Sequence, residues 1–413
     1  MNENSREAVV VGAGIVGVCA ALSLLEKGFA VRVLDPDPPA DGASYGNAGV
    51  ISPWSCVPQS VPGVWKNVPK WLLDPEGPVA LRWSYAPRAL PWALKFFAAA
   101  KRVPEIADAM LVLNGPSIDL YRHHLAGTGH EDLVADSLYV HVYRSVEGAD
   151  LDKYEWRLRS ERGVRLRVVR DDELYEIEPA LSRDYRSAML IEGQARALDP
   201  GRIGKVLADK IKSLGGEFVT AKVHRLEPRS DGGCRVHSDA GEIDAATVVL
   251  AAGAWSARLL APLSVKIPLE AERGYHLILR DPGVTLNNSV HDTERKFVAS
   301  SMNMGVRCAG TAEFAGLDAP PNYARARVFA KLAKRLFPDI NTADTEEWMG
   351  TRPSLPDTVP CIGPVPGHPA IIAAFGHGHL GLTMGPMTGR LVAAQAAGEP
   401  PNVDMAPYRV DRF

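Results

Sequence analysis

Gly12, Gly14 and Gly17 fall at the spacing G-x-G-x-x-G within AVVVGAGIVGVCAALSLLEKGFAVRVLD, and Asp35 closes that stretch. Glycine permits a tight turn at the first position and lets backbone approach a pyrophosphate at the second. At the third it lets a helix pack on the preceding strand. The free N–H groups of such a helix start face the phosphates. Asp35 stands where a carboxylate can accept from both ribose hydroxyls, which disfavours a 2′-phosphate. A dinucleotide is expected, and the motif alone does not choose between NAD and FAD. Near the other end, residues 376–389 hold five glycines and two histidines, His377 and His379, just before a helical stretch. A metal site, a phosphate loop and a cofactor-facing turn all suit that composition. A metal needs more converging ligands than this stretch supplies, and G-x-x-x-x-G-K-[ST] is absent. No metal is expected.

These residues require particular elements around them. The apolar run before Gly12 reads as a strand, the stretch after it as a helix stopped by Gly28, and Phe29 to Leu34 as a second strand. Ala8 to Leu25 carries no charge. Its glycines, and the Glu26-Lys27 pair that follows, favour strand–turn–helix over a membrane span. After Asp35, PDPPADGASYGNAGVISPWSCVPQS reads as an extended loop. A helical region is expected from about Arg88 to Leu125. Within it LPWALKFFAAAKRV is amphipathic and is read as packing on a core rather than lying on a membrane. Asp199 and Pro200 read as the cap and first residue of a helix to about Leu214, ended by Gly215-Gly216 and followed by a strand. A small antiparallel meander is expected over Arg235 to Ile243, and a further strand in ATVVLAAGAWSARLL. From Pro268 to about Ala312 the pattern is β-like, and PNYARARVFAKLAKRLFP is a helix. The nucleotide-binding fold is thus interrupted, which suits a flavoprotein better than an NAD dehydrogenase with a contiguous unit.

Size and composition bound the rest. A chain of 413 residues suggests two domains, and 46% hydrophobic with 23% charged residues is ordinary for a soluble enzyme. The net charge is −3 with both signs interspersed, so no face for nucleic acid is visible. Five scattered cysteines never form C-x-x-C, which fits a reducing, cytoplasmic setting.

Taken together, VVVGAGIVGVCAALSLLEKGFAVRVLD, SYGNAGVISP, VVLAAGAWS, ERGYHLIL, GTAEFAGLD, GTRPSLPDTVPCIGPVPG and AFGHGHLGLTMGPMTGRLVA resemble the D-amino acid oxidase superfamily. The likeness is nearest to its bacterial FAD-dependent D-amino acid dehydrogenase branch and covers nearly the whole chain. It implies an α/β fold: a discontinuous Rossmann-type FAD-binding domain, here 1–53, 197–262 and 346–413, with a mixed or antiparallel-sheet α+β substrate domain, here 54–196 and 263–345. It implies FAD held non-covalently, oxidation of a D-amino or cyclic imino acid, and electrons passed to a quinone or respiratory carrier. A peripheral place at the inner membrane is compatible with that.

The resemblance also assigns residues. Cofactor contacts are expected from Gly12, Ala13, Gly14, Ile15, Val16, Gly17, Asp35, Ser44, Asn47, Ala48, Gly49, Val223, Ala252, Gly253 and Trp255. The 44–49 stretch reads equally as an ordinary turn from its residues alone. His377, Gly378, Leu380, Gly381, Leu382 and Thr383 are expected on the flavin side, where a helix start offers N–H donors and positive charge to the ring. Arg352 in G-T-R-P matches the family's carboxylate clamp, a role suited to a bidentate guanidinium. His379 is placed toward substrate. Tyr275 and His276 alternate across a strand, so at most one lines the pocket, and Tyr275 is preferred. No catalytic acid or base stands out. A glycine/sarcosine-type oxidase and an NAD-dependent dehydrogenase are the alternatives.

Overall fold

The computed structural model describes residues 6–413. Two large sheets organise the chain. The first has six strands in the order Cys361–Val365, His368–Phe375, Thr247–Leu250, Glu7–Val11, Ala30–Asp35 and Glu217–Thr220. All run parallel except Cys361–Val365, which pairs antiparallel with His368–Phe375. Strands distant in sequence are neighbours here, as an interrupted nucleotide-binding fold requires. Asp199 caps the helix Pro200–Ser213 by accepting from the Arg202 amide at 2.9 Å. The meander Val223–Pro228, Cys234–Ser238, Gly241–Ala245 forms a small antiparallel sheet.

The second sheet has ten strands and is mixed. Its main path runs from Thr345–Ser354 through Glu270–Leu279, Gly305–Phe314, Phe297–Met302, Ser289–Asp292, Val134–Tyr143 and Ser187–Ala197 to Val50–Ile51. Two strands drawn above with the nucleotide part, Val50–Ile51 and Thr345–Ser354, pair into this sheet. The expected helical region is three helices, Ala86–Ala99, Val103–Asn114 and Ser117–Leu125. Ile106, Met110, Leu113, Tyr121 and Leu125 from the latter two share one core with Val10, Val18 and Leu22. The boundary between segments therefore follows buried apolar surface rather than chain order.

The first helix, Ile15–Glu26, is enclosed on nearly every side, which its small residues allow. A Cβ on Gly17 would lie 1.9 Å from the Gly12 carbonyl oxygen. The C-terminal helix, Gly381–Ala396, lies parallel against it: Gly381 meets Val16, Gly385 meets Ile15 and Val16, and Gly389 meets Cys19. Pro386 lies within that helix and cannot donate to the Leu382 carbonyl. The buried Tyr121 hydroxyl donates to that carbonyl instead, at 2.6 Å. A side chain from another helix thus repairs the ladder that the proline breaks.

A Cβ on Gly389 would approach the Cys19 carbonyl oxygen to 2.5 Å, and backbone cannot rotate away as a side chain can. Gly389→Val is expected to lose about 1–3 kcal/mol of stability, read as an earlier urea midpoint, because it wedges two packed helices apart. An unchanged midpoint would show that the helices can separate freely.

Candidate active site

The turn after Glu7–Val11 is built as the glycine spacing requires. Gly12 has φ +109°, and a Cβ there would lie 2.4 Å from the Ala251 carbonyl oxygen. Gly14 differs: beyond it only the Ser44 hydroxyl comes near, at 3.5 Å, so the space in front is open. Ser44 accepts from the Ile15 amide at 2.9 Å, and Asp35 accepts from Ala13 at 2.6 Å and from Asp37 at 2.9 Å. Burial pushes the Asp35 carboxyl up, while the Ala13 and Asp37 amides pull it back. Each of its oxygens keeps a lone pair for a ribose hydroxyl. Among the described residues the amides of Gly14 and Val16 donate to no protein acceptor. An open cradle, free amides and a nearby carboxylate are the features a dinucleotide pyrophosphate and ribose need, so these residues fit the group.

The second helix start converges on the same place. The amides of Gly381, Leu382 and Thr383 are likewise without acceptors among the described residues, as the first turn of any helix leaves them. The Thr383 hydroxyl joins the Val50 carbonyl at 3.3 Å and the Ser52 amide at 3.4 Å. The Asn47 side chain donates to the His379 carbonyl at 3.4 Å and accepts from Gly49 at 2.8 Å. Ala48 lies between them, half-buried, and Gly49 takes φ +78°. Gly378, at φ +53°, donates to the Pro353 carbonyl at 2.9 Å, tying the turn to the strand that carries Arg352.

Other expected positions divide by side-chain direction. His377 is buried, with Nε2 2.9 Å from the Thr388 hydroxyl. Its side chain therefore braces the C-terminal helix, and only its backbone belongs to the turn. Leu380 is buried at the helix cap. Ala252 and Gly253 sit beside the glycine turn, and Trp255 is half exposed. Val223 opens the meander two residues after Ala221, whose amide donates to the Asp35 carbonyl at 3.0 Å. The His379 ring reaches the Gln59 side chain (3.3 Å), and solvent can touch it. Burial nevertheless presses its pKa down to about 4, with Glu272 and Arg352 acting through their charges.

The preference for Tyr275 is corrected. Its hydroxyl donates to Glu313 at 2.5 Å and accepts from the Asn322 amide at 3.0 Å, while its ring packs with Phe297 and Phe329 on the far face of the sheet. Its neighbour Arg273 pairs with Glu313 there at 3.3 Å. His276 takes the other face, stacked on Trp348 at 4.8 Å and 13°. Its Nδ1 lies 3.2 Å from the Gly46 carbonyl, so that nitrogen carries the proton. Alternation was legible in the sequence, but which face packs into the apolar core with Phe297 and Phe329 was not.

Arg352 donates to Glu272 at 2.7 Å and to the Thr311 and Gly310 carbonyls at 2.7 and 3.2 Å. Glu272 also accepts from Ser354 at 2.8 Å. The guanidinium lies flat on the sheet because Gly274 has no Cβ, which would sit 2.3 Å from its Cζ. Glu272 and Gly274, in the very ERGYH block that drew attention to Tyr275, were missed. So was Arg307, a buried cation whose Nη1 donates to the Tyr45 and Asn47 carbonyls at 2.6 and 2.8 Å and so clamps the 44–49 loop. Burial lowers its pKa to about 10, leaving it charged.

The family model described as FAD dependent oxidoreductase, DAO, matches residues 7–395. The chain belongs to this family of FAD-dependent oxidoreductases. Among its relatives, a D-amino-acid oxidase of Bradyrhizobium diazoefficiens is 38% identical, with 99% of each chain covered. A D-amino acid dehydrogenase of Paramagnetospirillum magneticum is 33% identical over 98% of each. Among solved structures, glycine oxidase from Geobacillus kaustophilus superposes with a TM-score of 0.75 at 21% identity, covering 99% of each chain. L-proline dehydrogenase from P. horikoshii gives 0.76 at 19%, covering 99% of this chain and 98% of its own. Family membership selects FAD over NAD for the glycine turn. Among the described residues no helix is long and apolar enough to cross a membrane.

Burial depresses His276, His291 and His377 to about 3 and His124 to about 4, against an ordinary 6.5. The unfolded chain protonates these rings first, so the stability they confer is whole above about pH 6.5 and drains as pH falls toward 4. Glu178, raised by burial to about 7, works the other way as the single strong opponent. Melting temperature is expected to drop clearly from about pH 7 to about pH 5; a flat profile would contradict the burial of these rings.

Proposed function

We propose that this enzyme oxidises the Cα–N bond of a D-amino acid or cyclic D-imino acid, D-alanine and D-hydroxyproline being representative. A non-covalently held flavin would supply the two-electron acceptor for hydride from Cα. The electrons pass on to a quinone or another respiratory acceptor. Arg352 holds the substrate carboxylate, with Glu272 and two carbonyls fixing the guanidinium plane. His379 and Gln59 border the amine, and His379 is neutral at working pH, so it does not repel a cationic amine as it enters. His276 and Trp348 form the apolar wall beside the 44–49 loop. No side chain is needed to take hydrogen from Cα. The substrate reacts with its amine neutral, the extra ammonium proton having been left to solvent, and the Cα hydrogen departs with its electron pair as hydride. Water then opens an acyclic imine to a keto acid. Non-covalent attachment accords with Cys56 and Cys361, both buried and both raised in pKa by that burial, hence poor nucleophiles.

The observation that carries this reading is the position of Arg352. Its strand is tied through Pro353 and Ser354 to the turn that opens the C-terminal helix. The strand that carries this cation is thus linked by backbone to the turn from which the C-terminal helix starts, which supports the reading. The relatives' names, D-amino-acid oxidase and D-amino acid dehydrogenase, agree in substrate class and differ in acceptor. The glycine oxidase fold neighbour keeps an oxygen-using oxidase of glycine or sarcosine type as the second reading; peroxide release with N-methylglycine would favour it.

Anaerobic mixing with a panel of D- and L-amino and imino acids is expected to bleach the flavin with D-enantiomers only. Arg352→Lys keeps a charge for Glu272 but loses the fork, and is expected to lower kcat/KM by about a hundredfold with flavin retained. Arg352→Ala strands a buried carboxylate, so it is best read beside Arg352→Ala/Glu272→Gln. Normal turnover in Arg352→Lys would remove the clamp from the account.

A further inference from the structure

Among the described residues His124 is the only histidine that is completely enclosed with neither ring nitrogen hydrogen-bonded. A neutral imidazole carries one donor and one acceptor, and leaving both unmet in the interior is costly. Its helix neighbours Tyr121 and Leu125 belong to the nucleotide-side core. Nothing in the reaction described above uses this ring.

Two other side chains stand beside it. Glu26 Oε1 lies 3.3 Å from Nε2 of His123 and 3.8 Å from Nδ1 of His124. One ligating atom from each of the three lies within 4.8 Å of the other two. Two ligands each about 2.1 Å from a tetrahedral ion stand about 3.4 Å apart, so the carboxylate oxygen already has the spacing that a shared metal demands. Glu26 and His123 are exposed, and a small turn of the His123 ring closes the rest. An ordinary surface hydrogen bond accounts for the 3.3 Å contact. It does not account for the enclosed ring at 3.8 Å, which is beyond hydrogen-bond reach.

The elements around this point favour a cation. Glu26 ends the helix Ile15–Glu26, and the two histidines occupy the last turn of Ser117–Leu125. The negative ends of two helix dipoles therefore meet here. Both helices pack on Pro200–Ser213 and Gly381–Ala396. A cavity of about 280 Å³ beside Glu26, bounded also by Ser23, Lys27 and Arg390, leaves an entry path and room for a water ligand. Lys210 and Arg390 act on His124 by charge and oppose a cation. Lys210 is engaged by the His124 and Ala126 carbonyls at 2.7 and 3.1 Å, which leaves Arg390 the main opponent.

We propose that Glu26, His123 and His124 form a binding site for a divalent transition-metal ion of the zinc type, which clips together the C-terminal ends of two helices. Two imidazoles and one carboxylate suit that ion, whereas calcium and magnesium take oxygen ligands. Three protein ligands leave one tetrahedral position to water. The ion takes no part in the oxidation, because at 1.5 Å per residue Glu26 stands about 16 Å along its helix from the glycine turn. It braces the helix that carries that turn. Glu26 and His123 are 97 residues apart in sequence, so no spacing motif announces the set. The expectation of no metal, drawn from the C-terminal glycine stretch, does not bear on it. The inference does not depend on which substrate the enzyme takes.

The test is calorimetric titration of untagged, flavin-loaded enzyme, stripped with EDTA and dialysed, with Zn²⁺ and separately with Mg²⁺. Melting temperature and dye-linked turnover are followed alongside. About one saturable equivalent of zinc is expected, none of magnesium, and a melting temperature raised by the bound zinc. Glu26→Gln and His123→Gln, both at exposed positions, are each expected to weaken zinc binding by at least about tenfold, the loss typical even of an outer-shell partner. Both variants are expected to lose the zinc-dependent rise in melting temperature and to keep normal turnover. His224→Gln removes an exposed histidine bonded to Asp239 and is expected to bind zinc as the parent does. The proposal is overturned if no saturable zinc equivalent appears, if magnesium binds equally, or if Glu26→Gln and His123→Gln bind like the parent. Loss of binding in His224→Gln would overturn it as well, by moving the ion elsewhere.

Discussion

No side chain fits between Gly389 and the backbone of Cys19, and much of the molecule follows from that contact. It holds the first and last helices parallel and in register, so that both begin at the same place. Each start carries unsatisfied N–H groups and roughly half a positive charge. Two such ends side by side repel one another, and an anion between them relieves the repulsion. A dinucleotide with a pyrophosphate at its middle and an electron-accepting ring at one end would answer both. The cofactor is in that sense part of the helix packing, and the distance in sequence between residues 12–17 and 381–383 is bridged by glycines.

The large sheet supplies the other wall. Arg352 and His276, on one face of it, are held by partners that leave little freedom: Arg352 by Glu272 and two carbonyls, His276 by Trp348 and the Gly46 carbonyl. The buried Arg352–Glu272 pair adds little to stability by itself, since desolvation offsets most of its attraction. Its effect is orientation. A guanidinium laid flat on a glycine presents its remaining edge in one direction, as the proposed carboxylate clamp would require.

The parts of this arrangement legible in the sequence were those enforced locally. Gly12, Gly17 and Asp199 occupy positions that demand their types, through a positive φ, a close helix and a cap. The parallel sheet and its interruption were likewise legible from where apolar strands sat beside glycine turns. What escaped was set by partners far along the chain. Glu272 gains meaning only from a strand eighty residues away, Arg307 only from a loop it clamps, and Tyr121 only from the gap left by Pro386. Tyr275 and His276 show the same limit, since a period of two separates faces without saying which is inside. Residues 103–125 joined the nucleotide-side core because of the apolar surface they bury there.

The most direct measurement of the convergence itself is a crystal structure of the flavin-loaded enzyme. The pyrophosphate is expected against the Gly14 and Val16 amides, Asp35 on the ribose, and the pyrimidine end of the ring on the Gly381–Thr383 amides. A ring lying away from the C-terminal helix start, with those amides facing only water, would contradict the account.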